Sequence, residues 1–130
     1  MEALLRWTSP VLGSVSPGEF VPRAERSDQI VAMGEWVLEK SIEDYQRLAQ
    51  FGMSPATLSV NVSRKQFSRP ELTDNIKRII DQSGIDPAML TLEITETAIL
   101  DDRKRTISML KALHDFGVKL SVDDLSLIHI

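Results

Sequence analysis

Three glycines, Gly52, Gly84 and Gly117, stand 32 and 33 residues apart and set the frame for the fold. Each closes an amphipathic stretch and opens a short run of alternating apolar and polar residues. The runs read GMSPATLSVNVS, GIDPAMLTLEITE and GVKLSVDD. Glycine takes the left-handed conformation that ends a helix without steric cost, so the repeating unit is helix, glycine, strand. Apolar residues upstream of each glycine fall at helical spacing. Ile30, Val37, Leu38, Ile42, Tyr45, Leu48 and Ala49 mark a helix over 28–51. Leu72, Ile76, Ile79 and Ile80 mark one over 71–83, and Ile107, Leu110 and Leu113 one over 103–116. Helices alternating with strands at this period imply right-handed crossovers and a parallel sheet. Strands are predicted over 3–6, 57–62, 90–95 and 119–123. Ser16 to Glu19 and Ser68 to Glu71 are candidate capping boxes around Pro17 and Pro70, and Asp101 and Asp102 are candidate caps of the third helix. Residues 10–22 read as a loop with a short helix.

Side-chain parity adds a constraint. Leu58, Val60 and Val62 share one face of their strand, and Ser59, Asn61 and Ser63 the other. Leu92 and Ile94 oppose Thr91, Glu93 and Thr95; Leu120 and Val122 oppose Ser121 and Asp123. At the start of the chain Glu2, Leu4 and Arg6 oppose Ala3, Leu5 and Trp7. A doubly wound sheet would need both faces apolar. A barrel instead turns its second face inward, with polar groups at the carboxyl ends of the strands lining its mouth. The expected fold is therefore α/β, a partial (β/α)8 TIM-like barrel of about four βα units. Glu2, Asn61, Glu93 and Asp123 take equivalent places on four successive strands, and Asp124 adjoins the last. Crowded carboxylates repel one another and are relieved by a cation. An oxygen-only donor set suits Mg²⁺ or Mn²⁺, and two such ions about 4 Å apart suit in-line attack on a phosphodiester.

Composition narrows the function classes. Hydrophobic residues make up 42% of the 130 and charged residues 26%, the balance of a globular domain. No apolar run approaches the roughly 18 residues that span a membrane, and MEALLRW lacks the basic and apolar regions of a signal peptide. The absence of cysteine removes thiolate metal sites and disulfides and fits a cytoplasmic location. A net charge of −4, with no basic cluster longer than Arg103 to Arg105, disfavours a nucleic-acid polymer as partner.

EALLRW, SPGEFVPRAE, GEWVL, SVNVSRKQF, LEITE and the aspartate pair, in this order and spacing, resemble the EAL domain family of bacterial phosphodiesterases. The resemblance covers residues 1–124 and implies hydrolysis of cyclic di-GMP to linear pGpG with two Mg²⁺ or Mn²⁺ ions, and inhibition by Ca²⁺. It implies that Glu2, Asn61, Glu93, Asp123 and Asp124 are metal ligands, and that Arg6 contacts substrate phosphate. It further implies that Glu96 anchors a regulatory loop, that the intact domain forms homodimers, and that sensor or GGDEF domains are often fused to it. The family begins with a strand and helix before EAL. After the aspartate pair it continues with a phenylalanine, a Gly-rich loop, a lysine, a glutamate and a glutamine. Residues 125–130, LSLIHI, resemble instead the translation of a transposon end used in sequencing libraries, and are expected to be a non-native tail. The half domain alone is expected to be inactive, since four strands do not close an eight-stranded barrel. The alternative is a degenerate EAL domain that binds cyclic di-GMP or a protein partner without hydrolysis.

Several features carry plainer expectations. Arg6 can pair with Glu2, and Glu96 can be a rim charge. His114 is expected to interact with a helix dipole, Trp7 and Trp36 to pack, and Arg103 to Arg105 to form a solvated first helical turn. His129 belongs to the tail.

Overall fold

The computed structural model describes residues 2–4, 6–27, 29–53, 57–94 and 103–122. The elements, in order, are β1 (Trp7–Ser9), β2 (Gly13–Val15), α1 (Pro17–Arg26), α2 (Gln29–Gln50), β3 (Leu58–Val62), α3 (Arg64–Phe67), α4 (Leu72–Ser83), β4 (Leu90–Ile94), α5 (Arg103–Phe116) and β5 (Lys119–Val122). A single 3-10 turn, Pro87–Met89, leads into β4. Asp86 caps that turn, its carboxylate accepting from the Ala88 N–H at 3.0 Å.

Strands β3, β4 and β5 form one parallel sheet in that order. Leu58, Val60, Val62, Leu90, Leu92, Ile94 and Val122 point to one face and are buried there. Against them pack Leu38 and Ile42 of α2, Ile76, Ile79 and Ile80 of α4, and Leu110 and Leu113 of α5. Each helix covers the sheet with the stripe that its 3.6-residue period creates. Gly52, Gly84 and Gly117 have φ of 79°, 75° and 113°, the left-handed conformation expected of the three punctuating glycines. The opposite face carries Ser59, Asn61, Thr91, Glu93 and Ser121, all half-buried or exposed. This sheet, with helices packed on its apolar face, is part of an α/β TIM-like barrel.

The start of the chain departs from expectation. Residues 3, 4 and 6 lie outside any strand where one was expected over 3–6; Glu2 makes a parallel bridge with Ser59, and the Ala3 N–H donates to the Ser59 carbonyl at 2.8 Å. The chain then turns away into an antiparallel hairpin of β1 and β2, where a loop was expected. Neither predicted capping box forms. Ser16 precedes α1 without a side-chain cap, and Glu71 is itself the residue before α4, one turn too early to reach back to Ser68. The box lies at Ser63 and Gln66 instead. On α5 the buried stripe is Thr106, Met109, Leu110 and Leu113, which leaves Ile107 on the flank, 39% exposed. Trp36 is 58% exposed and is not a packing residue; the side chain of Trp7 and the residues Asp101 and Asp102 lie outside what is described. Arg105 is more than a solvated helix residue, since its guanidinium donates to the Ser68 carbonyl at 2.6 Å.

Candidate metal and phosphate site

The polar face of the sheet gathers three of the predicted site residues. Asn61 stands directly opposite Glu93 in the β3–β4 register, on neighbouring strands about 4.8 Å apart. On the other side of β3, the Glu2–Ser59 bridge places Glu2 beside the same strand, with Glu2 Oε1 3.5 Å from Asn61 Nδ2. That contact is long for a hydrogen bond, and it sets the amide between two carboxylates. Glu2 and Asn61 are exposed and Glu93 is half-buried. Asp123, Asp124 and Glu96 lie outside the described residues.

The donor chemistry fits a hard divalent cation. Glu2, Asn61 and Glu93 offer carboxylate and amide oxygens, with no sulfur or imidazole among them. Among the described residues no group of three or more His, Cys, Asp and Glu side chains gathers; of the five predicted ligands, these three are the ones described. An amide flip exchanges the nitrogen and oxygen of Asn61, so the facing Nδ2 is compatible with an oxygen donor in the presence of a cation.

Asn61 and Glu93 open onto a cavity of about 550 Å³. Arg6 reaches the same cavity from the start of the chain, and Arg64 from the first residue of α3. Pro17 and Val21 of α1 and Ile30, Met33 and Val37 of α2 form an apolar wall. Sequence reasoning did not assign this wall, nor Arg64, Ser63 and Gln66, to the site. The Ser-x-x-Gln spacing that announces the Ser63–Gln66 box was legible. The apolar wall had no signal of its own, because its residues belong to the same helical stripes as the core.

The parallel sheet has one polar face, and its carboxylate and amide donors stand beside a cavity that Arg6 and Arg64 line. The EAL domain profile matches residues 1–127, and the chain belongs to the EAL domain family. Two relatives come from Pseudomonas aeruginosa. The bifunctional diguanylate cyclase/cyclic di-GMP phosphodiesterase MucR is 35% identical over 124 residues, covering 95% of this chain and 18% of MucR. The cyclic di-GMP phosphodiesterase NbdA is 33% identical, covering 95% of this chain and 16% of NbdA. A solved structure of the PaMucR phosphodiesterase in complex with c-di-GMP superposes with a TM-score of 0.89 at 33% identity, over 99% of this chain and 52% of that one. The chain thus spans less than a fifth of these two curated relatives and about half of the solved phosphodiesterase chain. No helix among the described residues is long and apolar enough to cross a membrane.

Proposed function

We propose that this chain is the ligand-bearing N-terminal part of a cyclic di-GMP phosphodiesterase that yields linear pGpG. The observation that carries the reading is the register of Asn61 against Glu93, with Glu2 alongside, at the edge of a cavity that Arg6 also lines. The names of MucR and NbdA supply the substrate class.

In this reading Glu2, Asn61 and Glu93, with Asp123 and Asp124, hold two Mg²⁺ or Mn²⁺ ions. Such cations, when bound, lower the pKa of water and neutralise charge on phosphate oxygens. The chain's own residues do the positioning. Parallel strands β3 and β4 hold Asn61 and Glu93 in register, so this pair needs little reorganisation when substrate binds. The Arg6 guanidinium offers paired N–H donors to a phosphate oxygen. The wall of Val21, Ile30, Met33 and Val37 shields that end of the cavity from water and accepts the flat face of a base or sugar. Glu96 anchors a loop that regulates the site. We assign residues 1–124 to the EAL domain and 125–130 to a non-native tail. The intact protein acts in the cytoplasm as a homodimer, with sensor or GGDEF domains fused to it.

The test is to incubate the full-length protein with cyclic di-GMP and Mg²⁺ and to follow pGpG by chromatography. Glu93→Gln keeps the side-chain size and removes the charge. It should weaken Mg²⁺ binding by more than about tenfold, beyond the lower end of outer-shell effects, and turnover should fall with it. Unchanged turnover would remove Glu93 from the ligand set. Tight binding of cyclic di-GMP with no pGpG would point to a receptor instead.

A further inference from the structure

We infer that Gln66 and Gly34 act together as a positioning lock for Asn61, a role that rests on the cation-site reading above. Asn61 lies one residue before the end of β3, and the chain leaves the strand through Ser63. There the backbone is pinned twice. The Ser63 N–H donates to Gln66 Oε1 at 3.0 Å, and the Gln66 N–H donates to Ser63 Oγ at 3.3 Å. Gln66 is only 7% exposed, an unusual burial for a polar side chain. What admits it is the missing side chain of Gly34 on α2. A Cβ at Gly34 would stand 2.5 Å from Gln66 Cδ and 3.1 Å from Oε1, inside the volume the amide fills. Gly34, Ser63, Gln66, Asn61 and Glu93 all line the same cavity.

The direction in which strain travels follows from these atoms. A methyl group at position 34 meets the far end of a flexible side chain, so α2 keeps its place and the amide of Gln66 gives way. In giving way it abandons the Ser63 N–H, the anchor two residues beyond Asn61. Gly34 therefore acts on Asn61 through Gln66, without touching it. Alanine is also the stronger helix former, so Gly34→Ala strengthens α2 while it releases the site. A glycine kept for packing alone would lose stability when replaced, without a loss of cation affinity of its own.

The experiment titrates Mn²⁺ into the full-length protein by electron paramagnetic resonance and follows the site whose affinity Asn61→Ala reduces. Gly34→Ala and Gln66→Ala should each weaken that site about tenfold, the scale of outer-shell substitutions. The thermal midpoint of Gly34→Ala should stay within a few degrees of the parent. In a Gln66→Ala background the space is free, so adding Gly34→Ala should cost no further affinity. Unchanged Mn²⁺ affinity in both single variants, with Asn61→Ala still weakened, would overturn the lock and leave the cation site standing. Independent, additive losses in the double variant would overturn it as well. Unchanged affinity in Asn61→Ala would overturn the cation reading and the lock together.

Discussion

Residues 2–26 and the sheet with its helices handle apolar surface in different ways. The largest fully buried side chains, among them Ile42, Ile80, Leu92, Ile94 and Leu113, all lie between α2 and β5. The N-terminal segment buries Val15, Phe20 and Ala24 but leaves Leu4, Val11 and Leu12 at 62%, 90% and 71% exposed. Among its described residues, Ala3 packs partly buried against the core cluster. The sheet region stabilises itself by burying regular stripes, whereas the segment leans on α2 through α1 and on β3 through a single bridge. The candidate site spans this join. Asn61 and Glu93 come from the rigid side, Glu2 and Arg6 from the other, so the order of the first residues limits how well the site is preorganised.

Opposite outcomes for one kind of substitution would expose that difference most clearly. Leu92 is fully buried in the middle strand. Leu92→Asp buries a carboxylate with no partner, and should cost more than about 4 kcal/mol or abolish folding. Leu12→Asp alters a side chain that is already 71% exposed and should move stability by less than about 0.5 kcal/mol. Urea unfolding monitored by circular dichroism measures both. A large loss in Leu12→Asp would mean that the hairpin belongs to the cooperative core, and the contrast between the two regions would fail.

The same contrast explains what the sequence made legible. Helices α2, α4 and α5 and strands β3 to β5 follow from period and punctuation to within about a residue, because burial against one sheet dictates both. The hairpin escaped because WTS and GSV are three residues each, too short for alternation to register. Its order depends on a local turn and not on a stripe. At the candidate site, the shared face of Asn61 and Glu93 was legible from parity, since parallel strands in register must align their faces, whereas Glu2 comes beside them through a bridge to Ser59. The Gly34–Gln66 contact was not, because it joins a helix glycine to a turn 32 residues away and no periodic pattern encodes it. Spacing pointed to boxes at Ser16–Glu19 and Ser68–Glu71, and only the geometry after the serine selects Ser63 instead.

A subtler comparison uses two glycines of matching conformation. Gly84 and Gly13 have φ of 75° and 74°, and an added Cβ meets nothing within 4 Å at either. The local backbone cost of alanine is therefore the same, about 1–2 kcal/mol. Gly84 closes α4, its N–H donating to the Ile80 carbonyl at 3.0 Å beneath the core, so Gly84→Ala should lower global stability by about that amount. Gly13→Ala should instead speed amide hydrogen exchange in residues 7–15 and leave the urea midpoint nearly unchanged. Equal shifts in global stability would show that the hairpin and the sheet unfold as one unit.

The smallest effect separates the two faces of α2. Its outer face carries a charge network, with Arg47 3.0 Å from Glu43 and Lys40 3.6 Å from Asp44, on side chains 43–58% exposed. Toward α4, Glu35 accepts from the Asn75 amide at 2.7 Å in a half-buried contact. Water and salt screen the first group and reach the second less. Glu43→Gln should therefore change stability by less than about 0.5 kcal/mol, the range of exposed ion pairs, and the change should vanish at high salt. Asn75→Ala should cost about 1.5–3 kcal/mol, as for a hydrogen bond to a charged acceptor, and should be insensitive to salt. Unfolding midpoints at low and at roughly 0.5 M sodium chloride, where screening falls to a few ångströms, distinguish the pair. If Glu43→Gln proved the costlier substitution, α2 would be held by its surface charges, and the sheet region would owe less to its buried face than the packing indicates.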